Sequence, residues 1–434
     1  MKKIEIHPCK ALAGTVLIPG DKSISHRALI LASLADGVST IDNLLEGHDC
    51  IATVHVMRAL GVHIALESGS WVVKGNKKFG LLEPSSVLDC KNSGTTIRLM
   101  AGLLSAMPFM SILDGSEQIK RRPMDRVITP LRQMGANIYG RKDNRLAPIV
   151  TLPGQISSGR LFLPVKSAQV KSAIMLLSLY GSGITEIYHT ESTRDHTERM
   201  LSFMGADIEV GHDSVSLRPL IQELKPLNIT VPGDISSAAF LLVAGALLAP
   251  TGIILKNVGV NVTRTGIIDA LRMMGAHITL DNERTVGNEP VADIFVMKSA
   301  LKGATFSGDH IVRMIDEIPV LALAATQSSG TTVIRDASEL KVKESNRIAK
   351  TVETLKSLSA HIEETQDGMI IQGDGPLCGG EASSFGDHRL ALVLGIAGLI
   401  ATSPVAVTHA EVTDDSFPGF WPTLRALGAR INEV

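Results

Sequence analysis

One phrase recurs six times along the 434 residues of this chain. Its copies are Met57–Ile64 (MRALGVHI), Leu131–Ile138 (LRQMGANI), Leu201–Ile208 (LSFMGADI), Leu271–Ile278 (LRMMGAHI), Leu355–Ile362 (LKSLSAHI) and Leu424–Ile431 (LRALGARI). The fifth residue falls at 61, 135, 205, 275, 359 and 428, so the intervals are 74, 70, 70, 84 and 69 residues. Such a period means one supersecondary unit built six times. Two apolar residues three apart close the last turn of an amphipathic helix. Glycine supplies the left-handed residue that stops it, and the alternating tail starts a strand. In the fifth copy Ser359 replaces glycine; a left-handed serine costs ~1 kcal/mol.

A second kind of helix precedes each copy and is apolar nearly all round. The six runs are Arg27–Ala35, Ile97–Ala106, Val170–Leu179, Ala238–Leu248, Ile318–Thr326 and Leu390–Ile400. A helix apolar on every side is buried. The expected class is α/β: a two-domain, inside-out α/β barrel of six βαβαββ-type units, three per domain, with sheets wrapped around buried helices. Ile18-Pro-Gly-Asp-Lys-Ser23 and Val231-Pro-Gly-Asp-Ile-Ser236 are near-identical hinges, placed close to half a chain apart. They divide the chain into an N-terminal domain, 20–232, and a C-terminal domain, 1–19 plus 233–434. The sixth unit lacks a second strand, and the alternating Lys3–Ile6 is expected to supply it. Two chain crossings then join the halves.

Net charge is 42 − 44 = −2, so no global basic field favours nucleic acid. Any anionic ligand must be held by local Arg and Lys. Aromatics make up only 3%, so the core is aliphatic. Cys9, Cys50, Cys90 and Cys378 show neither CxxC nor zinc spacing and are read as reduced thiols of a cytoplasmic protein. The first residues make a poor signal peptide, and the longest apolar runs are too short to span a bilayer.

Polar residues gather at the starts of the buried helices: Asp21–Arg27, Asn92–Thr96, Lys166–Lys171, Gly233–Ser237, Arg313–Glu317 and Gly386–Arg389. Helix N-termini favour anions. If the six helices run alike, these starts converge on a cleft between the domains. For Ser236 and Ser237, N-capping and ligand contact weigh equally. Lys22 and Arg27 are different, because cations avoid a positive dipole end unless a polyanion is bound. Three further charged segments are Lys120–Arg126, Arg194–Arg199, which opens a helix, and Lys341–Arg347. In the last, Lys343 and Arg347 are four apart and are expected to share a helix face, with Glu344 beside them. The ordinary meaning of each such run is a solvated face. From local sequence Asp316 reads as an N-cap.

GDKSISHRALILASLA, NSGTTIRL, RRPMDR, KVKESNRI, GDHRLAL and the terminal SFP occur in one order between residues 20 and 418. Together they resemble the 5-enolpyruvylshikimate-3-phosphate synthase family, and the repeat and hinges resemble the enolpyruvyl transferase fold. The resemblance implies a 3-phosphoshikimate 1-carboxyvinyltransferase of the shikimate pathway, which leads to chorismate and the aromatic amino acids. Shikimate 3-phosphate would attack phosphoenolpyruvate through its 5-hydroxyl, pass through a tetrahedral intermediate and release phosphate. It implies no metal, no cofactor, no nucleic-acid or membrane partner, a monomer, and two domains that close over the ligands. No GxxxxGK[ST] or HExxH motif speaks against this.

By the same resemblance Lys22, Ser23, Arg27, Ser167, Ala168, Gln169 and Arg194 hold shikimate 3-phosphate. Asn92 and Gly94 line the phosphoenolpyruvate pocket. Arg122, Lys343, Arg347 and Arg389 bind phosphoenolpyruvate or neutralise the intermediate. Asp316 is the base for the 5-hydroxyl, and Glu344 protonates the methylene carbon, a role Lys22 shares. Two positions depart from the family pattern: no Lys precedes Ser416-Phe417-Pro418, and Glu339 replaces an Asn. Gly94 leaves room for the inhibitor glyphosate. The rival enolpyruvyl transfer to UDP-N-acetylglucosamine usually has a catalytic Cys five residues before the position of Arg122; this chain has Glu117.

Overall fold

The computed structural model of the protein describes residues 2–189 and 193–434. It divides into two compact units. Unit 1 is Met1–Pro19, Pro232–Thr285 and Pro290–Val434; unit 2 is Gly20–Val231 and Val286–Glu289. The chain thus passes between units at 19/20 and 231/232. It passes twice more around Val286–Glu289, and no motif foretells those passages.

Six four-stranded sheets recur with one topology. In one, Arg160–Phe162 lies parallel to Thr185–Tyr188, which is antiparallel to Ser214–Leu217, itself antiparallel to Ile208–Val210. Strands such as Ser214–Leu217 and Thr331–Ile334 bury alternate residues, the period-2 pattern of a half-covered sheet. Each unit is closed by a strand from far along the chain. In unit 2 Asn228–Thr230 adds parallel to Val38–Asp42. In unit 1 Gly14–Leu17 adds parallel to Ile253–Gly259, and Lys3–Ile6 inserts between Val405–Thr408 and Ile431–Glu433. That last pairing is the one the alternation of Lys3–Ile6 leads one to expect.

The six apolar runs are helices, each almost wholly buried: Lys22–Ser33, Gly94–Leu104 and Ala168–Ser178 in unit 2, and Ile235–Leu248, Ile318–Thr326 and His388–Ile400 in unit 1. Each set sits in its unit's own aliphatic core. The Gly94–Leu104 and Ala168–Ser178 helices cross nearly backbone to backbone. A Cβ on Gly102 would lie 2.2 Å from the Ala173 carbonyl oxygen. The repeated phrase ends a half-exposed helix each time. Gly61, Gly135, Gly205, Gly275 and Gly428 are left-handed, and Ser359 takes the same conformation at φ 68°.

Candidate active site

In unit 2 the Lys22–Ser33 helix is capped by Asp21, whose carboxylate accepts the Ile24 N–H at 2.9 Å. Lys22 opens the helix, and its ammonium pairs with the Asp49 carboxylate. Ser23 beside it is half-buried. One turn on, Arg27 is buried with its guanidinium spread over three acceptors. Nε donates to Thr197 Oγ1 at 2.7 Å, one terminal nitrogen to Ser172 Oγ at 2.7 Å and the other to the Ser23 carbonyl at 2.9 Å. Its plane is therefore fixed by three helices before any ligand arrives.

Ser93 caps the Gly94–Leu104 helix, and Asn92 Oδ1 accepts from Ser116 at 2.7 Å. A Cβ on Gly94 would meet a terminal nitrogen of Arg122 at 2.7 Å and its central carbon at 2.9 Å. Gly94 is thus the space into which the buried Arg122 guanidinium fits. Ser167, Ala168 and Gln169 begin the third buried helix and are half-buried. Gln169 accepts from Arg98 at 2.7 Å and donates to Thr95 Oγ1 at 2.9 Å. Arg194 is half-buried two residues before the His196–Phe203 helix.

In unit 1 the charged residues centre on Arg347, which is fully buried. It grips Asp387 with two nitrogens at 2.9 and 3.2 Å, meets Asp316 Oδ1 at 3.2 Å and pairs with Glu344 at 2.6 Å. Lys343 reaches the same Asp316 oxygen at 3.4 Å. Burial opposes the charge on Arg347, but Asp387, Glu344 and Asp316 together push its pKa up and keep it protonated. Burial would also raise the pKa of Asp387; the Arg347 guanidinium and His388 outweigh it and hold the carboxyl below its usual range. Arg389, in the first turn of the helix that Asp387 caps, lies 3.5 Å from the Ser236 carbonyl and 3.9 Å from Glu317.

Three sequence expectations are corrected. Lys343 and Arg347 share no helix face: Lys343 is extended, and Asn346 caps a helix that starts only at Arg347. They meet instead through Asp316. The N-cap position of the Ile318–Thr326 helix is Glu317, not Asp316, and the Asp316 carboxylate pairs with the two cations. Ser236 and Ser237 are not caps either. Asp234 caps that helix, while Ser236 donates to Glu317 and Ser237 to the Ser416 carbonyl at 2.9 Å. Sequence reasoning passed over Asp387, Arg98, Asp49, Ser172 and Thr197. Asp387 and Arg98 lie inside motifs already noted, GDHR and NSGTTIRL, and could have been found there. Thr197 lies inside the charged segment Arg194–Arg199, whereas Asp49 and Ser172 carry no local signal, because long-range packing alone brings them in.

Among the described residues no cluster of three or more His, Cys, Asp or Glu could hold a metal ion. No described helix is long and apolar enough to cross a membrane.

Comparison with known proteins identifies the family. The model of the family described as EPSP synthase (3-phosphoshikimate 1-carboxyvinyltransferase) matches residues 6–424. The chain is 47% identical over 424 residues to the 3-phosphoshikimate 1-carboxyvinyltransferase of Desulforamulus reducens, covering 98% of this chain and 99% of that one. It is 49% identical over 419 residues to the enzyme of that name from Geobacillus kaustophilus, covering 96% and 98%. A solved EPSP synthase from Acinetobacter baumannii superposes with a TM-score of 0.89 at 40% identity, over 100% of both chains. An α/β transferase built from six repeated units is therefore the class that fold and comparison define. Within it, the chain belongs to the EPSP synthase family, whose members are 3-phosphoshikimate 1-carboxyvinyltransferases.

Proposed function

We propose that this chain transfers the enolpyruvyl group of phosphoenolpyruvate to the 5-hydroxyl of shikimate 3-phosphate, with Asp316 as base and Glu344 as acid. The hydroxyl oxygen bonds to C2 of phosphoenolpyruvate while its proton passes to Asp316, and Glu344, aided by Lys22, delivers a proton to the methylene carbon. The tetrahedral adduct then returns a proton from its new methyl group to Glu344, which the first step left deprotonated. The bond from C2 to the phosphate oxygen breaks, its electron pair leaving with phosphate, and the enol ether forms. Lys22, Ser23, Arg27, Ser167, Ala168, Gln169 and Arg194 hold shikimate 3-phosphate; Asn92, Gly94, Arg122, Lys343, Arg347 and Arg389 serve phosphoenolpyruvate and the developing charge.

The observation that carries this reading is the seating of Asp316 and Glu344 on one buried guanidinium, Arg347. A fully buried cation cannot drift, so two carboxylates with opposite proton duties keep a fixed separation. Cytoplasmic location fits four free thiols. Monomeric state and glyphosate binding beside Gly94 belong to the same reading.

The test is phosphate release from phosphoenolpyruvate, with shikimate 3-phosphate in one arm and UDP-N-acetylglucosamine in the other. Release with the second acceptor alone overturns the proposal. Asp316→Ala and Lys22→Ala are each expected to lower kcat by roughly 10²–10⁴-fold without loss of fold by circular dichroism. Turnover at the wild-type rate removes the role from that residue.

A further inference from the structure

One hairpin outgrows its counterparts. His277–Val286 and Glu289–Met297 have 10 and 9 residues, against five and five in His63–Glu67 and Ser70–Lys74 and four and four in His361–Glu364 and Met369–Gln372. Its turn is Gly287-Asn288, with φ 55° and 68°, the two left-handed residues of a type I′ turn. The strands, up to Thr285 and from Pro290, belong to unit 1, but the tip, Val286–Glu289, belongs to unit 2.

The tip grips the start of the His196–Phe203 helix. Glu289 Oε1 lies 2.7 Å from His196 Nδ1, and both side chains are almost fully buried. Arg199 donates to the Asn288 carbonyl at 3.1 Å, and the Asn288 amide donates back to the Arg199 carbonyl at 3.1 Å. That helix start has no side-chain cap of its own, because Asp195 is turned to Arg199 at 2.8 Å. An eight-residue helix without a cap is weakly fixed by local forces. Its position must come from what packs on it.

The same turn orients Arg27. Thr197 Oγ1 accepts Arg27 Nε at 2.7 Å and hydrogen-bonds Ser172 Oγ, the acceptor of a second Arg27 nitrogen, at 2.7 Å. Glu198 pairs with Lys171 at 2.5 Å, both buried. We infer that Asn288 and Glu289 are positioning residues for the shikimate 3-phosphate half-site: they hold the first turn of the His196–Phe203 helix, and through Thr197 they set the plane of the Arg27 guanidinium. The inference rests on the reading that Arg27 binds this substrate.

The experiment uses the full chain with three variants. Glu289→Gln removes the charge, Asn288→Gly keeps the left-handed turn but removes the amide, and Arg27→Lys tests the underlying reading. Glu289→Gln and Asn288→Gly are expected to raise KM for shikimate 3-phosphate roughly 10-fold, with KM for phosphoenolpyruvate and kcat within about twofold. Combined with Arg27→Lys, each effect is expected to be less than multiplicative. An unchanged KM for shikimate 3-phosphate, or equal rises for both substrates, overturns the positioning role. If Arg27→Lys raises that KM in the same series, the half-site reading survives that result; if it does not, both fall. Should Glu289→Gln fail to fold, Asn288→Gly, at a half-exposed position, decides the matter alone.

Discussion

Arg347 shows how much one side chain can hold. Three carboxylates share its guanidinium inside the protein. Removing one member of a buried ionic cluster leaves the others uncompensated. Arg347→Met is therefore expected to destabilise the protein by ~3–5 kcal/mol, read from the urea midpoint, besides abolishing turnover. A loss below about 1 kcal/mol would mean that water reaches the carboxylates. His26 illustrates the opposite case, a titratable group kept neutral. Burial drives its pKa down from 6.5 to about 3, and its ring hydrogen-bonds Thr53 at 2.7 Å. Below pH 6.5 the unfolded chain takes up a proton that the native state refuses until about pH 3. Stability therefore falls on acidification through that window, by about 1.4 kcal/mol per pH unit at most from this group. His26→Gln is expected to remove that share of the slope in urea titrations between pH 7 and pH 4. A slope unchanged by the substitution would place the pKa of His26 near its ordinary value. The motifs and the polar helix starts marked most residues of the candidate site, Asp316 among the latter, but not how they connect. Local sequence made Asp316 a cap, because the cations that claim it lie 27 and 31 positions away, at Lys343 and Arg347.

At the scale of elements, the repeated phrase was fully legible because its cause is local: an apolar pair, then a left-handed residue, then alternation. All six copies stop a helix. Ser359 pays for its place in the left-handed region with strain of ~1–2 kcal/mol. Ser359→Gly relieves it, against an entropic loss of ~0.4–1 kcal/mol in the unfolded chain. The net expectation is a gain of about 0.5 kcal/mol, seen as a higher thermal midpoint; a lower midpoint would show that the serine is better accommodated than its φ suggests. Helix starts were less legible. The charged run at Lys343 looked helical by spacing, yet Asn346 supplies the cap and delays the helix to Arg347. The long hairpin did leave a trace, since the one outsized interval, 84 residues from Gly275 to Ser359, contains it. Period alone could not say that the excess lay in one hairpin or where its tip would pack.

At the scale of the molecule, the sequence disclosed the repeat count and the buried helices. Beyond the pairing of Lys3–Ile6, it could not disclose that Asn228–Thr230 and Gly14–Leu17 close their sheets, because pairing at that range depends on shape rather than pattern. Ile4 is wholly buried in the strand that joins two others in unit 1. Ile4→Ala is expected to cost ~2–5 kcal/mol. Hydrogen exchange should report the loss first at Val405–Thr408 and Ile431–Glu433, with the strands of unit 2 still protected. Equal loss of protection in both units would show that they unfold as one cooperative body.

The insertion of Lys3–Ile6 between strands from the far end of the chain also sets an order of birth. Lys2 contacts Glu411 across 409 positions. At ~5–20 residues per second a ribosome makes that stretch in roughly 20–80 s. For that time the first strand has no partner on its own sheet, whereas the run from Gly20 to Val231 already contains nearly all of unit 2. A strand made roughly 400 residues before its partners is thus among the last to be used. Its short, half-polar sequence, KIEI, suits a segment that must wait in solvent without finding the wrong strand.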